Sequence, residues 1–216
     1  HTHTHTTTHT PPPSQDHCIL RVRRTHIMPD ALEEISRQRT KDLLKPLRVH
    51  FIGEDGIDAG GVRKEFFQLL VNDLLRPDYG MLQYFDESRV FWFNPSTLEA
   101  KEEFMLIGII MGLAIYNTVL LDLPLPQVLY KKLLKQAVGL HDLEEMQPIL
   151  GRSLKQLLQY EGEPGSVEAV FCQTFAVDIE AFGEVRSVEL KAGGSDVPVT
   201  EDNRREFVEL YTEYIL

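Results

Sequence analysis

Two cysteines, Cys18 and Cys172, are the most nucleophilic side chains that this 216-residue sequence offers. A thiol attacks as its thiolate, so its reactivity depends on a low pKa and on access to solvent. Cys18 opens the strand-like segment CILRVRR, and Cys172 lies within the apolar run VEAVFCQTF. We expect burial to raise the pKa of both thiols, and we therefore expect neither cysteine to be catalytic.

The histidines are the next candidates, because alternate histidines on a strand can chelate a metal. Residues 1–13, HTHTHTTTHTPPP, have this spacing, but they carry no apolar side chain that could hold a strand against a core. We interpret residues 1–16 as a disordered tail or a cloning remnant. His141 has no cysteine or second histidine at ligand spacing, so we interpret it as a surface residue. We expect no metal and no other cofactor.

The acidic, glycine-rich loop at residues 53–61, GEDGIDAGG, precedes a segment of helical periodicity and could be a ligand loop. A phosphate cradle would need the GxxxxGK[ST] pattern, which is absent, and the carboxylates here would repel an anion. A calcium loop would need the EF-hand spacing and a closing glutamate. The simpler interpretation is that the acidic residues complement the helix dipole and that the glycines allow a tight turn.

An apolar run at residues 104–121, FMLIGIIMGLAIYNTVLL, is the element around which the others must be arranged. The run reaches the lower length limit for crossing a bilayer, but acidic residues flank it and no Lys/Arg cluster marks one side. We therefore favour a central helix buried on every face over a transmembrane helix. Gly108 and Gly112 share one helical face, so we expect a close helix contact there and a severe loss of stability in Gly112→Leu. Ser96 and Glu99 fit a capping box at its start.

The remaining periodicity predicts an α+β fold that is mostly helical, with short antiparallel hairpins. The predicted strands span residues 18–24, 47–52, 81–85, 90–93, 173–178 and 184–190. The predicted helices span residues 29–45, 62–75, 126–138, 141–146, 148–160 and a last segment that Thr200 caps, with Phe207, Leu210, Tyr211 and Tyr214 pointing inward. Because the chain stops inside that segment without a C-cap, we expect it to be a fragment.

Composition limits the classes of partner and the location. The net charge of −11 disfavours nucleic acid and anionic membranes as partners. The length allows one large domain or two small ones. Two cysteines and no signal-peptide pattern favour a reducing compartment, so we expect a cytoplasmic protein, with the nucleus as an alternative.

Several stretches, taken together and in order, resemble the N-terminal lobe of a HECT-type E3 ubiquitin-protein ligase. They are ILRVRR at 19–24, GIDAGGVRKEFF at 56–67, RPDYGMLQY at 76–84, FWFNPS at 91–96, FMLIGIIMGLAIYN at 104–117, SLKQLLQYEG at 153–162 and NRREFVELYTEYIL at 203–216. The run VEAVFCQTF at 167–175 is similar to the HERC-type branch of the family. The resemblance identifies residues 17–216 as a partial HECT domain, namely the large subdomain of its N-lobe.

The resemblance implies a mechanism in which ubiquitin passes from a conjugating enzyme to a cysteine thioester and then to a substrate lysine. In the family, the subdomain that docks the conjugating enzyme and the lobe that carries the nucleophile both follow the position of Leu216. Neither cysteine of this chain matches the family's nucleophile, so we expect the chain alone to be inactive. The alternative is a non-catalytic scaffold that binds ubiquitin or another protein, and the downstream gene sequence would distinguish the two.

The resemblance also implies a weak, non-covalent ubiquitin site in the large subdomain. Its aromatic positions fall on Tyr79, Tyr84 and Phe182 of this sequence. Arg76 stands where that site has an asparagine, and Ile215 stands where it has an arginine. The alternative is that these aromatic side chains only pack within the core or a hairpin.

Overall fold

The computed structural model describes residues 17–54, 60–181 and 184–216, and its contacts divide the chain into two units. Among the described residues, unit 1 comprises 17–54, 60–76 and 99–122, and unit 2 comprises 77–98, 123–181 and 184–216. The interpretations of residues 1–16 and of the centre of the acidic loop lie outside the described residues. Within the described ranges, we find no helix whose length and apolar character would let it cross a bilayer.

Unit 1 contains two strands and four α-helices in its described part. In chain order they are β1 (Cys18–Val22), α1 (Ile27–Arg37), α2 (Thr40–Leu43), β2 (Leu47–Phe51), α3 (Gly61–Leu74) and α4 (Lys101–Tyr116). The predicted helix at 29–45 is thus two helices, because Gln38 and Arg39 have extended backbone angles. β1 and β2 pair in parallel through this helical crossover, a pairing that the sequence analysis did not predict.

The outer edge of β1 is closed by side chains. Three residues spaced four apart, two in α1 and one directly after it, bond alternate residues, two in β1 and one directly after the strand. They are Asp30, which accepts from the Arg23 N–H (2.7 Å), Glu34, which accepts from the Arg21 N–H (3.1 Å), and Gln38, which donates to the Ile19 carbonyl (3.3 Å). Four helical residues advance about 6 Å and two strand residues about 6.6 Å, so the helix and the strand stay in step. These side chains take the place of a neighbouring strand.

The outer edge of β2 is covered by side chains at its first residue, Leu47. Asn117, at the end of α4, accepts a hydrogen bond from the Leu47 N–H through its Oδ1 (2.8 Å). Arg63 of α3 donates to the Leu47 carbonyl over 3.4 Å. The core of unit 1 lies between this small sheet and the helices, and its fully buried side chains include Leu20, Val49, Phe66 and Leu70.

The central apolar run forms α4, as predicted, but only one of its faces is buried. Leu106, Ile110 and Leu113 are at most 3% exposed, whereas Met105 is 60% and Ile115 is 77% exposed. The prediction of burial on every face is therefore wrong. The sequence could not predict this, because a helix that is apolar on every side does not indicate which side packs against a neighbour.

The glycines of α4 do not form the predicted close contact. A Cβ atom built on Gly108 or on Gly112 would meet no atom within 4 Å. The predicted capping box is also absent: the N-cap is Ala100 and has no side-chain bond, and the Ser96 N–H bonds instead to Asn94 Oδ1 (3.0 Å). We therefore withdraw the expectation that Gly112→Leu is severely destabilising.

Unit 2 carries the two predicted hairpins and a group of helices. Its elements are β3 (Leu82–Phe85), β4 (Val90–Phe93), α5 (Gln127–Leu133), α6 (Leu140–Met146), α7 (Pro148–Gln159), α8 (Ser166–Phe171), β5 (Ala176–Ala181), β6 (Glu184–Glu189) and α9 (Arg204–Ile215). Both β3–β4 and β5–β6 are antiparallel, as predicted. The α+β, mostly helical fold class is thereby confirmed.

The core of unit 2 is built where α6, α7 and α9 pack together. Gly151 of α7 lies against α6 so closely that an added Cβ would come within 2.4 Å of Glu144 Cα. Phe207 of α9 is buried, as predicted, and its ring meets that of Phe175 edge-on at 5.5 Å. Tyr214, predicted to point inward, is 37% exposed.

The start of α9 also differs from the prediction. The N-cap is Asn203 rather than Thr200. Asn203 accepts the Thr200 N–H through its side-chain oxygen (2.7 Å) and donates to the Pro198 carbonyl (3.0 Å). The asparagine therefore organises the turn that precedes the helix.

Candidate functional site

The β3–β4 hairpin of unit 2 presents an unusual number of aromatic side chains. In its register Tyr84 faces Phe91 and Gln83 faces Trp92. Because successive side chains of a strand point to opposite faces, these two pairs lie on opposite faces of the hairpin. The turn between the strands ends at Arg89, whose φ of 57° lies in the left-handed region.

One face of the hairpin is apolar and partly open, and we call Leu82, Tyr84, Phe91 and Phe93 the hairpin face. Tyr84 is 44% exposed, and its ring centroid lies 4.8 Å from that of Phe91. The other three side chains are half-buried. Exposed aromatic side chains that cluster in this way are typical of protein interfaces.

The segment that leads into the hairpin is held in place by one asparagine. Asn94, directly after β4, donates to the Gly80 carbonyl (2.7 Å) through its side chain and to the Met81 carbonyl (2.9 Å) through its backbone N–H. Met81 is fully buried. Tyr79 ends the short 3-10 turn Pro77–Tyr79 just before this anchored point and is half-buried. Tyr79 and Tyr84 therefore belong to one segment of fixed conformation.

The opposite face of the hairpin packs against α9. Trp92 is 7% exposed and donates from its indole Nε1–H to the Ile215 carbonyl over 3.1 Å. A cavity of about 440 Å³ lies beside this contact, and Phe85, Tyr211 and Tyr214 contribute to its lining. Burial raises the pKa of Tyr211 above its ordinary value.

Of the three predicted ubiquitin-site residues, Tyr79 and Tyr84 lie on the same segment, before and within β3. Phe182 lies outside the described residues. Ile215 lies beside Trp92, whose side chain occupies the hairpin face opposite to Tyr84. Phe91 and Phe93 complete the apolar surface, and strand alternation in FWF at 91–93 was the signal that could have identified them.

The two cysteines differ in exposure. Cys18 in β1 is fully buried, and this burial, with a smaller contribution from the nearby Asp42 carboxylate, raises the pKa of its thiol to about 11. Cys172 follows the end of α8 and is exposed, so the expectation of its burial was wrong. Cys172 is the C-cap of this short helix, and the run returns to the core only at Phe175, which is fully buried.

The described residues hold no group of three or more metal-ligating side chains. His141 is exposed, and its Nε2 lies 3.3 Å from Glu145 Oε1 in the next helical turn.

The HECT-domain (ubiquitin-transferase) family matches residues 68–216, which include the hairpin, all of the helices of unit 2 and α4. The chain belongs to this family of HECT-domain proteins. Its membership agrees with the α+β architecture and with the motifs that resemble a HECT N-lobe.

The chain is also similar to individual proteins over most of its length. It is 48% identical over 197 residues, or 91% of its length, to the probable E3 ubiquitin-protein ligase HERC4 of Homo sapiens. It is 44% identical over 211 residues to the probable ligase HECTD2 of Mus musculus, and 39% identical over 204 residues to mug30 of Schizosaccharomyces pombe. These alignments span 18%, 27% and 25% of the three relatives. The chain therefore spans only 18% to 27% of the length of these relatives.

Proposed function

We propose that this chain is the large N-lobe subdomain of a HECT-type ubiquitin ligase, over residues 17–216. The ligase would accept ubiquitin from a conjugating enzyme as a cysteine thioester and transfer it to lysines of substrate proteins. The observation that carries this proposal is the family match over residues 68–216, together with close relatives that are named as probable E3 ubiquitin-protein ligases. We also propose a cytoplasmic location, with the nucleus as the alternative, because two cysteines give no disulfide framework.

Neither cysteine of the chain serves as the nucleophile in this proposal. Cys18 is buried with a pKa of about 11, so almost none of it is thiolate near neutral pH. Cys172 is accessible, but neither it nor Cys18 matches the position of the family's nucleophile. The Cys172 Sγ lies 3.3 Å from the Ala169 carbonyl, an ordinary helix-end contact. A catalytic thiol would instead need an electropositive surrounding.

The chain should therefore form no reducible adduct when it is mixed with ubiquitin, activating enzyme, conjugating enzyme and ATP. Non-reducing gel electrophoresis measures this directly, with Cys172→Ser and Cys18→Ser as matched variants. A thiol-sensitive ubiquitin adduct that is lost in Cys172→Ser would contradict the assignment of a non-catalytic subdomain. The gene sequence downstream of Leu216 separates the ligase from a pure scaffold, because only a ligase needs a further nucleophilic cysteine.

We further propose that the hairpin face holds ubiquitin non-covalently. Tyr84 and Phe91 supply a tilted, partly open aromatic pair, and Tyr79 directly precedes the anchored Gly80–Met81 segment. Such a preformed apolar surface loses little conformational entropy on binding. Its small area fits a weak, transient contact.

Titration of the ¹⁵N-labelled chain with ubiquitin tests this site. Resonances of residues 79–93 should shift at ubiquitin concentrations up to about 1 mM, which corresponds to a binding free energy of about −4 kcal/mol. Tyr84→Ala should abolish the shifts, whereas Tyr130→Ala, at a similarly exposed tyrosine on α5 (45%), should not change them. No shift at that concentration, or equal shifts in Tyr84→Ala, would remove the hairpin face as a ubiquitin site.

A further inference from the structure

A second concave surface lies between the hairpin and the junction of α6 and α7. We call it the acidic groove. It has a volume of about 460 Å³, and its lining includes Tyr84, Phe85, Asp86, Glu87, Ile149 and Leu150. All of these residues belong to unit 2. The groove shares Tyr84 with the hairpin face but otherwise uses the hairpin turn and the first turn of α7.

The walls of the acidic groove are held by specific contacts. Ser88, in the hairpin turn, donates from its hydroxyl to the carbonyl of Met146 at the end of α6 (2.7 Å). Met146 itself is fully buried and lies at the groove. The close approach of Gly151 to Glu144 fixes the angle at which α7 leaves α6. The groove is therefore formed before any partner arrives.

The groove exposes large apolar side chains. Ile149 is 59% exposed and Tyr84 is 44% exposed, one on each wall, and Phe85 and Leu150 are half-buried between them. Covering these surfaces with an apolar side chain would remove them from water. The volume accommodates a few side chains of an extended segment.

The charges at the rim are acidic. Asp86 and Glu87 are exposed, and in the described part of the chain neither carboxylate forms an ion pair. Arg89 ends the same turn but does not line the groove. The N-terminus of α7 adds a partial positive charge of about one half, which two carboxylates outweigh. The field at the rim therefore attracts a cation.

We propose that the acidic groove binds a short linear segment of a partner protein, in which an aliphatic or aromatic side chain is followed or preceded by lysine or arginine. The apolar side chain lies between Ile149 and Tyr84, and the cationic side chain meets Asp86 and Glu87. This recognition differs from ubiquitin binding at the hairpin face because it uses the α7 wall, although both surfaces include Tyr84. It would let the subdomain recruit a substrate or a regulator that carries such a segment.

A phage-displayed library of random short peptides, selected on the intact chain, tests the proposal. The enriched peptides should pair an apolar residue with a nearby lysine or arginine. For the best synthetic peptide, fluorescence anisotropy should show that Ile149→Ser and Glu87→Lys each weaken binding at least about five-fold. The matched controls Val170→Ser, at an exposed valine of α8 (56%), and Glu163→Lys, at an exposed loop glutamate, should bind as the parent does. Rising salt should weaken binding to the parent.

Several results would overturn the proposal. They are a failure to enrich any peptide, enrichment of acidic peptides, and equal binding to Ile149→Ser or to Glu87→Lys. Displacement of the peptide by ubiquitin, with ubiquitin shifts at Ile149, would make the groove part of the ubiquitin site. Self-association that Ile149→Ser abolishes would assign it to a second copy of the chain. Because Ile149 and Glu87 are both exposed, the variants should keep the parent's melting midpoint, and either one alone decides the outcome.

Discussion

Replacing Asp30 tests whether side chains truly close the outer edge of β1. Its carboxylate accepts the Arg23 backbone N–H (2.7 Å) and two guanidinium bonds from the same residue, at 2.9 and 2.6 Å. The Asp30 side chain is 9% exposed and that of Arg23 is 53% exposed. The hydrogen bonds from Arg23, which outweigh the opposing effect of burial, lower the pKa of Asp30 from 3.8 to about 2.

The expected loss of folding free energy follows from this pKa. Each pKa unit corresponds to about 1.4 kcal/mol, so after allowance for the solvent around Arg23 the ionised carboxylate contributes roughly 2 kcal/mol to folding. Asp30→Asn keeps the shape and one acceptor, and it should lower the free energy of unfolding by about that amount. Asp30→Ala also leaves the Arg23 N–H without its acceptor, which adds about 1–2 kcal/mol.

The dependence on pH has a definite sign. The pKa of Asp30 is lower in the folded state than in the unfolded chain, so its contribution is fully present above the unfolded value of 3.8. The contribution is lost as the pH falls from 3.8 towards about 2. The difference in stability between the parent and Asp30→Asn should therefore shrink over this interval.

Urea unfolding followed by far-UV circular dichroism measures the stabilities, with the exposed Asp122→Asn as a control. Amide hydrogen exchange provides a local readout, because Arg21 and Arg23 should lose protection in Asp30→Ala before the hairpin of unit 2 does. Equal unfolding midpoints for the parent and Asp30→Asn at neutral pH, with unchanged exchange at Arg23, would refute the edge-closing role.

Two further predictions concern glycines and thiols. Gly151→Ala should destabilise the chain by about 1–3 kcal/mol, because its Cβ would meet Glu144 Cα at 2.4 Å, whereas Gly112→Ala should be neutral or stabilising by up to about 1 kcal/mol. Thermal unfolding would show this, and a larger loss in Gly112→Ala than in Gly151→Ala would contradict it. Cys172 should react with a maleimide in the folded chain, while Cys18 should react only in denaturant. Peptide mapping distinguishes the two sites, and rapid labelling of Cys18 without denaturant would show that its burial is wrong.

Local patterns were sufficient for most elements of the fold. The helical spacing in residues 62–75 predicted α3, and the alternation on either side of the turn at 86–89 predicted the β3–β4 hairpin. Both depend on contacts between residues that are near in sequence, which periodicity and turn residues encode directly. The family motifs could be recognised for the same reason, because each motif is one contiguous stretch of sequence.

Only part of the candidate site could be predicted from the sequence. Tyr79 and Tyr84 were identified by resemblance, and they do lie on one anchored segment. The groove beside Ile149 was not predicted, because it joins the hairpin turn to a helix end that is about sixty residues away in sequence. The Ser88–Met146 hydrogen bond holds the two walls of the groove, and no sequence pattern in either segment predicts this bond.

What the sequence determined by itself was therefore most of the helices, both hairpins, the family and the location of the aromatic residues, but not the break within residues 29–45 or the short helix α8. Tertiary structure alone decided that β1 and β2 are parallel, that α4 is buried on one face and that Cys172 is exposed. Each of these depends on which distant segments pack together, and the apolar character of a segment does not specify its neighbours. The same holds for the edges of the small sheet, where Asp30, Glu34 and Gln38 act as a row only because α1 folds back along β1.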